Sequence, residues 1–213
     1  NNNNIYLAYG SNSQLNIVGK TTVINQGNAA NNSLYLGLFG SIVFNDDLSL
    51  DNSGTGNNSA IYLNDRTNSI NNYLGNISIS STTGQGIRFG QNGGIGRLAI
   101  AKNINIGAAG FTAGMLRLQN FTQLGTTNHS FNMSANSYFY GSNNHWNGNF
   151  SVTAPRLYSA SSYYGAQLYL EKTGATNDYS AGGNTVLGSA TLIHAGSNNL
   201  LFGNTLADTF MQN

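Results

Sequence analysis

The chain has 213 residues and a formal net charge of +1, and its 7% charged content falls far below the roughly 25% of an ordinary globular protein. Hydrophobic residues make up 39%, so this is not a charge-rich disordered chain, and no basic cluster marks a nucleic-acid surface. Cysteine is absent, which excludes disulfide staples and thiolate metal sites.

Polar, uncharged residues fill the balance, with Asn at 36 positions and Gly at 27. That β-compatible composition fits an extracellular fibre or a β-solenoid. No apolar run approaches the roughly 20 residues needed to cross a bilayer as a helix, so membrane insertion is not expected. The chain opens on Asn1 to Asn4 without an initiator Met or leader and stops in mid-pattern at Asp208 to Asn213. It reads as a piece of a longer secreted chain, with localisation signals outside it.

No 3.6-residue apolar stripe persists along the chain, whereas strand signals recur in two forms. The first is an apolar-x-apolar triplet, often followed by Gly or Asn. It runs through Ile5-Tyr6-Leu7, Leu34-Tyr35-Leu36, Ile61-Tyr62-Leu63, Ile87-Arg88-Phe89 and Leu116-Arg117-Leu118, then Tyr138-Phe139-Tyr140 and Leu200-Leu201-Phe202. The first five begin 29, 27, 26 and 29 residues apart. Beyond Leu118 the spacing shortens towards 20, and either Leu157-Tyr158 or Leu168-Tyr169-Leu170 continues the series. The second form is Gly, a polar residue and an alternating pair, as in Gly40 to Phe44, Gly75 to Ile79, Gly148 to Val152 and Gly188 to Leu192. Its glycine is expected to supply a positive φ at a corner. Pro155 is the one proline and is expected at a corner.

Gly75 to Gly107 holds the repeating unit, with short runs at Ile77/Ile79, Ile87/Phe89, Leu98/Ile100 and Ile104/Ile106. Each run alternates with period two and is too short to make a sheet alone. Such a unit buries its apolar face only by stacking on copies of itself. The prediction is an all-β chain, a single parallel β-solenoid (β-helix) segment over 1–213 of about eight or nine short coils. Crossovers are right-handed by the general rule. With rungs ~4.8 Å apart the rod is about 40 Å long. Inward positions are expected at Leu34, Leu36, Ile61, Leu63, Ile77, Ile79, Ile87, Phe89, Leu98, Ile100, Leu116 and Leu118. Asn side chains in register on adjacent coils are candidates for hydrogen-bonded ladders.

If the flanking pair of each triplet points in, its middle residue points out. This places Tyr6, Tyr35, Tyr62, Arg88, Arg117 and Phe139 in one exterior stripe. Flat rings and guanidinium groups could dock a glycan or a protein surface there. The plainer reading is that these residues only stabilise the sheet as cross-strand neighbours. Trp146 is expected in a core slot at the turn into the Gly148 strand, with a sugar platform as the alternative. His129, His145 and His194 lack metal-ligand spacing and are assigned to the surface or loops. Asp46, Asp47 and Asp51 lie close together but match no calcium motif, so no metal or cofactor is expected. Glu171 and Lys172, near Asp178, form the one local acid–base group and read as a solvated corner. With no set of carboxylates at equivalent repeat positions, an enzyme is not expected. Asn-x-Ser/Thr sequons at Asn31, Asn57, Asn76, Asn120, Asn128, Asn132 and Asn149 are what an Asn-rich composition produces by chance.

Lys172 to Ile193, Asn198 to Phe210, Gly86 to Gly125 and the stretch His145 to Pro155 resemble repeats of giant surface adhesins of Bacteroidota. That group includes the gliding-motility adhesins exported by type IX secretion. In the last stretch Trp146 stands where Phe is more usual. The resemblance implies a long filament at the extracellular cell surface, attaching to a surface polysaccharide or substratum and taking part in gliding. It also implies outer-membrane anchoring or motility proteins as partners outside this segment, and it brings no catalytic residues. The alternatives are a glycan-binding β-helix module and a self-assembling extracellular filament subunit.

Overall fold

The structure, a computed structural model, describes residues 4–134 and 136–212. Among them are 26 short strands and no helix, arranged as a parallel β-solenoid of about eight turns. Every strand pair is parallel, so each coil repeats the course of the one before it.

Three faces wrap the core. The first carries Ile5–Leu7, Ser33–Leu36, Ala60–Leu63, Gly86–Phe89, Ala113–Gln119, Asn136–Ser142 and Leu157–Ala160 as one sheet. Its registered partners Ile5, Leu34, Ile61, Ile87 and Leu116 are the predicted triplets, and Phe139 and Leu157 follow. Leu157-Tyr158 therefore continues the series. Leu168-Tyr169-Leu170 belongs to the third face instead, pairing with Phe150 to Val152. From Leu157 to Ser159 side chains stand in for the backbone ladder, which resumes where Ser161 N donates to Gly182 O at 2.9 Å. Asp178 Oδ2 accepts from Leu157 N at 2.9 Å and Ser180 Oγ from Ser159 N at 3.0 Å, and Asp178–Tyr179 then pairs with Leu200–Leu201.

The second face is a continuous sheet of nine strands, from Gln14–Ile17 to Thr209–Phe210. The third is split into Thr21–Asn25, Leu48–Asn52, Ile77–Ser81 and Ile104–Phe111, and then His129–Asn132, Phe150–Ala154, Leu168–Lys172 and Ala190–His194. At the split the backbone N–H of Ile104 donates to Nδ1 of His129 at 3.3 Å, so an imidazole stands in for a ladder carbonyl. His129 is buried, not at the surface as predicted, whereas His145 and His194 are exposed.

The corner after the first face explains why Gly or Asn follows so many triplets. Ala8, Gly37, Asn64, Gly90, Asn120, Asn143, Ser161 and Gly182 all have positive φ, between 41° and 89°. Gly and Asn tolerate that left-handed conformation best. The glycines of the second sequence form work differently, because Gly40, Gly75, Gly148 and Gly188 are not in the positive-φ set. They permit close approach: a Cβ on Gly148 would lie 2.2 Å from the carbonyl oxygen of Thr127. Pro155 does occupy a corner, between Phe150–Ala154 and Leu157–Ala160.

The core is filled by the inward Leu, Ile and Phe residues, and eleven of the twelve predicted inward positions pack into or against it. Ile100 is the exception at 72% exposed, because the chain turns after Leu98 through Ala101 at φ 59°. Trp146 fills the core slot, stacking on Phe121 at 5.5 Å and tilting against Phe150 at 4.7 Å. Buried Asn side chains staple the first corner in three coils. Asn71 Nδ2 donates to Leu36 O while its Oδ1 accepts from Ile42 N. Asn144 links Leu118 O and Phe121 N the same way, and Asn184 links Ser159 O and Ser162 N. A direct Asn ladder also occurs inside, where Asn25 Nδ2 donates to Asn52 Oδ1 at 3.0 Å.

Candidate functional site

The first face carries the candidate site on its outer side. The parallel register joins Tyr6, Tyr35, Tyr62, Arg88, Arg117, Tyr140 and Tyr158 into one column over seven consecutive coils. Five of these positions were predicted. Phe139 was predicted as the sixth, but it lies in the core at 1% exposed, registered with Leu116 and Leu157, and Tyr140 takes the outward place. Three successive aromatic residues gave no polarity alternation to set the phase. The left-handed corner would have done so, since Asn143 follows Tyr140 by the same interval as Asn120 follows Arg117.

Parallel in-register pairing puts equivalent side chains about one strand spacing apart, which falls within the centroid separation of offset-stacked rings. Tyr6 and Tyr35 stack at 5.0 Å and 16°, Tyr35 and Tyr62 at 4.7 Å and 5°, and Tyr140 and Tyr158 at 4.3 Å and 3°. The guanidinium of Arg88 lies 5.4 Å from the Tyr62 ring centre and that of Arg117 lies 4.1 Å from the Tyr140 ring centre. The ring faces inside the column are thus engaged with one another or with guanidinium groups. What the column offers outward is ring edges, phenol hydroxyls and two guanidinium groups, not the flat stacking platform expected from sequence.

Burial, reinforced by Tyr62 and Asp65 nearby, pushes the Tyr35 phenol up to about 12, and burial also raises Tyr158. Both hydroxyls stay protonated near neutral pH and act as neutral donors and acceptors. Arg88 donates from Nη1 to Gln91 Oε1 at 2.9 Å and from Nη2 to Gln85 Oε1 at 3.1 Å. Arg117 Nη1 donates to Gln119 Oε1 at 3.3 Å. Beside Tyr35, Tyr62 and Arg88 runs a groove of about 420 Å³ lined by Asn4, Asn31, Ser33, Asn58 and Gln85. A second groove of about 260 Å³ lies beside Tyr140 and Tyr158, with Tyr138 and Arg156 in its wall.

The remaining candidates do not gather. Asp47 is held by Asn76, whose backbone N–H donates to Oδ1 at 2.9 Å and keeps this carboxyl below its usual range. Among the described residues, no three His, Asp or Glu side chains come together in a metal-holding group. The acid–base group near Lys172 is not a solvated corner. Lys172 is fully buried, with Nζ donating to the carbonyls of Gly174 and Ser197, and Asp178 is buried against Leu157 N and Arg156. Glu171 faces outward and accepts from Tyr169 OH at 2.7 Å and Thr153 Oγ1 at 3.2 Å.

Fold and column together define a β-solenoid repeat protein with one ordered Tyr/Arg face. No family model, curated protein or solved structure matches the chain.

Proposed function

We propose that this chain is a rod-like segment of an extracellular surface adhesin or filament, and that the Tyr/Arg column is its contact face. The observation that carries the reading is the column itself, seven outward side chains in register along a chain in which only 7% of residues are charged. A solenoid separates scaffold from surface, because inward residues hold the coils together and outward residues are left to contact partners. Many weak contacts repeated along one rigid line add through multivalency. The partners proposed are a surface polysaccharide or substratum, with anchoring or motility proteins of the outer membrane outside this segment. Attachment and gliding at the cell surface are the roles that the adhesin-like repeats imply. The column equally supports the narrower reading of a glycan-binding β-helix module, which differs only in what carries the rod.

The test uses beads coated with the chain and surfaces coated with polysaccharide. A Tyr35→Ser/Tyr62→Ser variant should detach at lower flow, while losing only about 0.2–1 kcal/mol of stability per removed pair. Lost stability with unchanged attachment would show that the column serves the sheet alone.

A further inference from the structure

The tyrosine column is interrupted in one place, where Arg88 and Arg117 stand directly opposite each other on adjacent strands. Like charges in that position destabilise a sheet unless something between them answers the charge. Among the described residues no carboxylate lies within ion-pair distance of either guanidinium, and the buried Asp65 attracts both only from further off. The three ion pairs lie elsewhere, at Lys20–Asp47, Arg66–Asp65 and Arg156–Asp178, and the hydrogen-bond partners of the two guanidinium groups are neutral Gln amides. Asp65, on the neighbouring corner, is held at 3.5 Å by Arg66 Nε and at 3.0 and 3.1 Å by Asn92 Nδ2. Both Arg88 Nε and Arg117 Nε are buried without a partner. Each guanidinium is steadied from one side by a ring, Tyr62 below and Tyr140 above.

We propose that Arg88 and Arg117 are the anion-binding centre of this face, and that the polymer it takes is an acidic polysaccharide bearing carboxylate or sulfate groups. The inference rests on the contact-face reading above. Planar guanidinium forks match the two oxygens of a carboxylate or sulfate, and an anion between two of them also removes their mutual repulsion. The rungs before and after the pair carry no further cation in the column, only phenol hydroxyls, and the groove beside Tyr35 and Tyr62 is lined by Asn, Ser and Gln. Sparse anions among many hydroxyls describe a uronate-containing or sulfated glycan. A nucleic-acid backbone, with a phosphate at every step, calls for a cationic groove that follows it.

The test measures binding of the full chain to hyaluronan, with one carboxylate per disaccharide, to keratan sulfate, which has sulfate and no uronate, and to neutral dextran and single-stranded poly-dT, at low and raised salt. The expected result is salt-sensitive binding to hyaluronan or keratan sulfate, and comparing those two identifies the anion. An Arg88→Gln/Arg117→Gln variant should bind the acidic polymer at least about tenfold more weakly, and should melt no lower than the wild type because the opposed charges are gone. An Arg88→Lys/Arg117→Lys variant should keep part of the binding, since charge remains without the fork. If the double Gln variant does not fold, Arg88→Gln alone carries the same comparison. Undiminished binding by the Gln variant, equal binding of neutral dextran, or poly-dT bound as tightly as the polysaccharides would each overturn the proposal. Attachment that depends on Tyr35 and Tyr62 but not on the two arginines would sink this inference and leave the contact face standing, whereas failure of both variant sets to matter would remove the contact face itself.

Discussion

Lowering the pH should loosen this solenoid at one identifiable place, the split in its third face. His129 is 2% exposed, packed edge-on to Trp146 at 5.0 Å, and its Nδ1 accepts the backbone N–H of Ile104. That bond fixes the neutral ring with its proton on Nε2, which is buried and without a partner. Burial pushes the imidazole down to about 4 from its ordinary 6.5. Because the folded state resists protonation, the unfolded chain binds more protons between these values, so stability rises with pH there. The stabilisation is complete above about 6.5 and is lost as pH falls through about 4. At about 1.4 kcal/mol per pH unit the interval amounts to about 3 kcal/mol, a large part of the stability of a typical domain. Protonation would also take from Ile104 N–H the lone pair it points at. Denaturant titration between pH 4 and 8 should show this slope in the wild type, and a His129→Gln variant should lack about 3 kcal/mol of it. NMR of the His129 ring protons gives the direct readout. A ring that titrates near the free imidazole value, or a variant with the wild-type slope, would refute the reasoning.

Two further outcomes follow from the packing. Asn144→Ala strands the N–H of Phe121 and one bond to the carbonyl of Leu118 inside the first corner, and thermal or denaturant unfolding should show a loss of about 2–4 kcal/mol. The exposed Asn132→Ala, on an outward strand position without positive φ, is the control, expected within about 0.5 kcal/mol. Phe89→Asp places a carboxyl without a partner at a fully buried position between Leu63 and Leu118, and should cost at least about 4 kcal/mol in the same assay. An unchanged melting temperature in that variant would contradict the inward assignment of its strand.

The solenoid was legible because its signal is redundant. Ile61/Leu63, Ile87/Phe89 and Leu116/Leu118 repeat one alternation, and each copy checks the phase of the next. Where redundancy lapsed, sequence reasoning lapsed with it. Tyr138-Phe139-Tyr140 has no polar member to fix which residue points in. Leu98-Ala99-Ile100 continues the alternation in letters but not in space, since the chain turns before Ile100. His129 and Lys172 carry polar labels that normally mean surface. Their burial depends on partners one coil away, Ile104 N for the one and the carbonyl of Ser197 for the other, which no local pattern announces. The outward column from Tyr6 to Arg117 was readable for the same reason as the core. Its geometry was not, because whether ring faces meet a partner or one another is settled by side-chain torsions. The adjacency of Arg88 and Arg117 could be read from the triplets, while the lack of a direct ion pair to either could only be seen once the coils were stacked.

Coil stacking in register is the claim on which the rest depends, and distances along the second face test it most directly. Val43, Asn72, Arg97, Thr122, His145, Tyr163 and Thr185 are successive registered partners there. The chain has no native cysteine, so spin labels can be placed in pairs, with Val43→Cys as the fixed member and Thr122→Cys, His145→Cys, Tyr163→Cys or Thr185→Cys as the other. Pulsed electron paramagnetic resonance should give distances that climb by ~4.8 Å per coil, from about 14 Å at Thr122 to about 29 Å at Thr185. Distances that fail to rise in that order, as two facing antiparallel layers would give, would contradict the account.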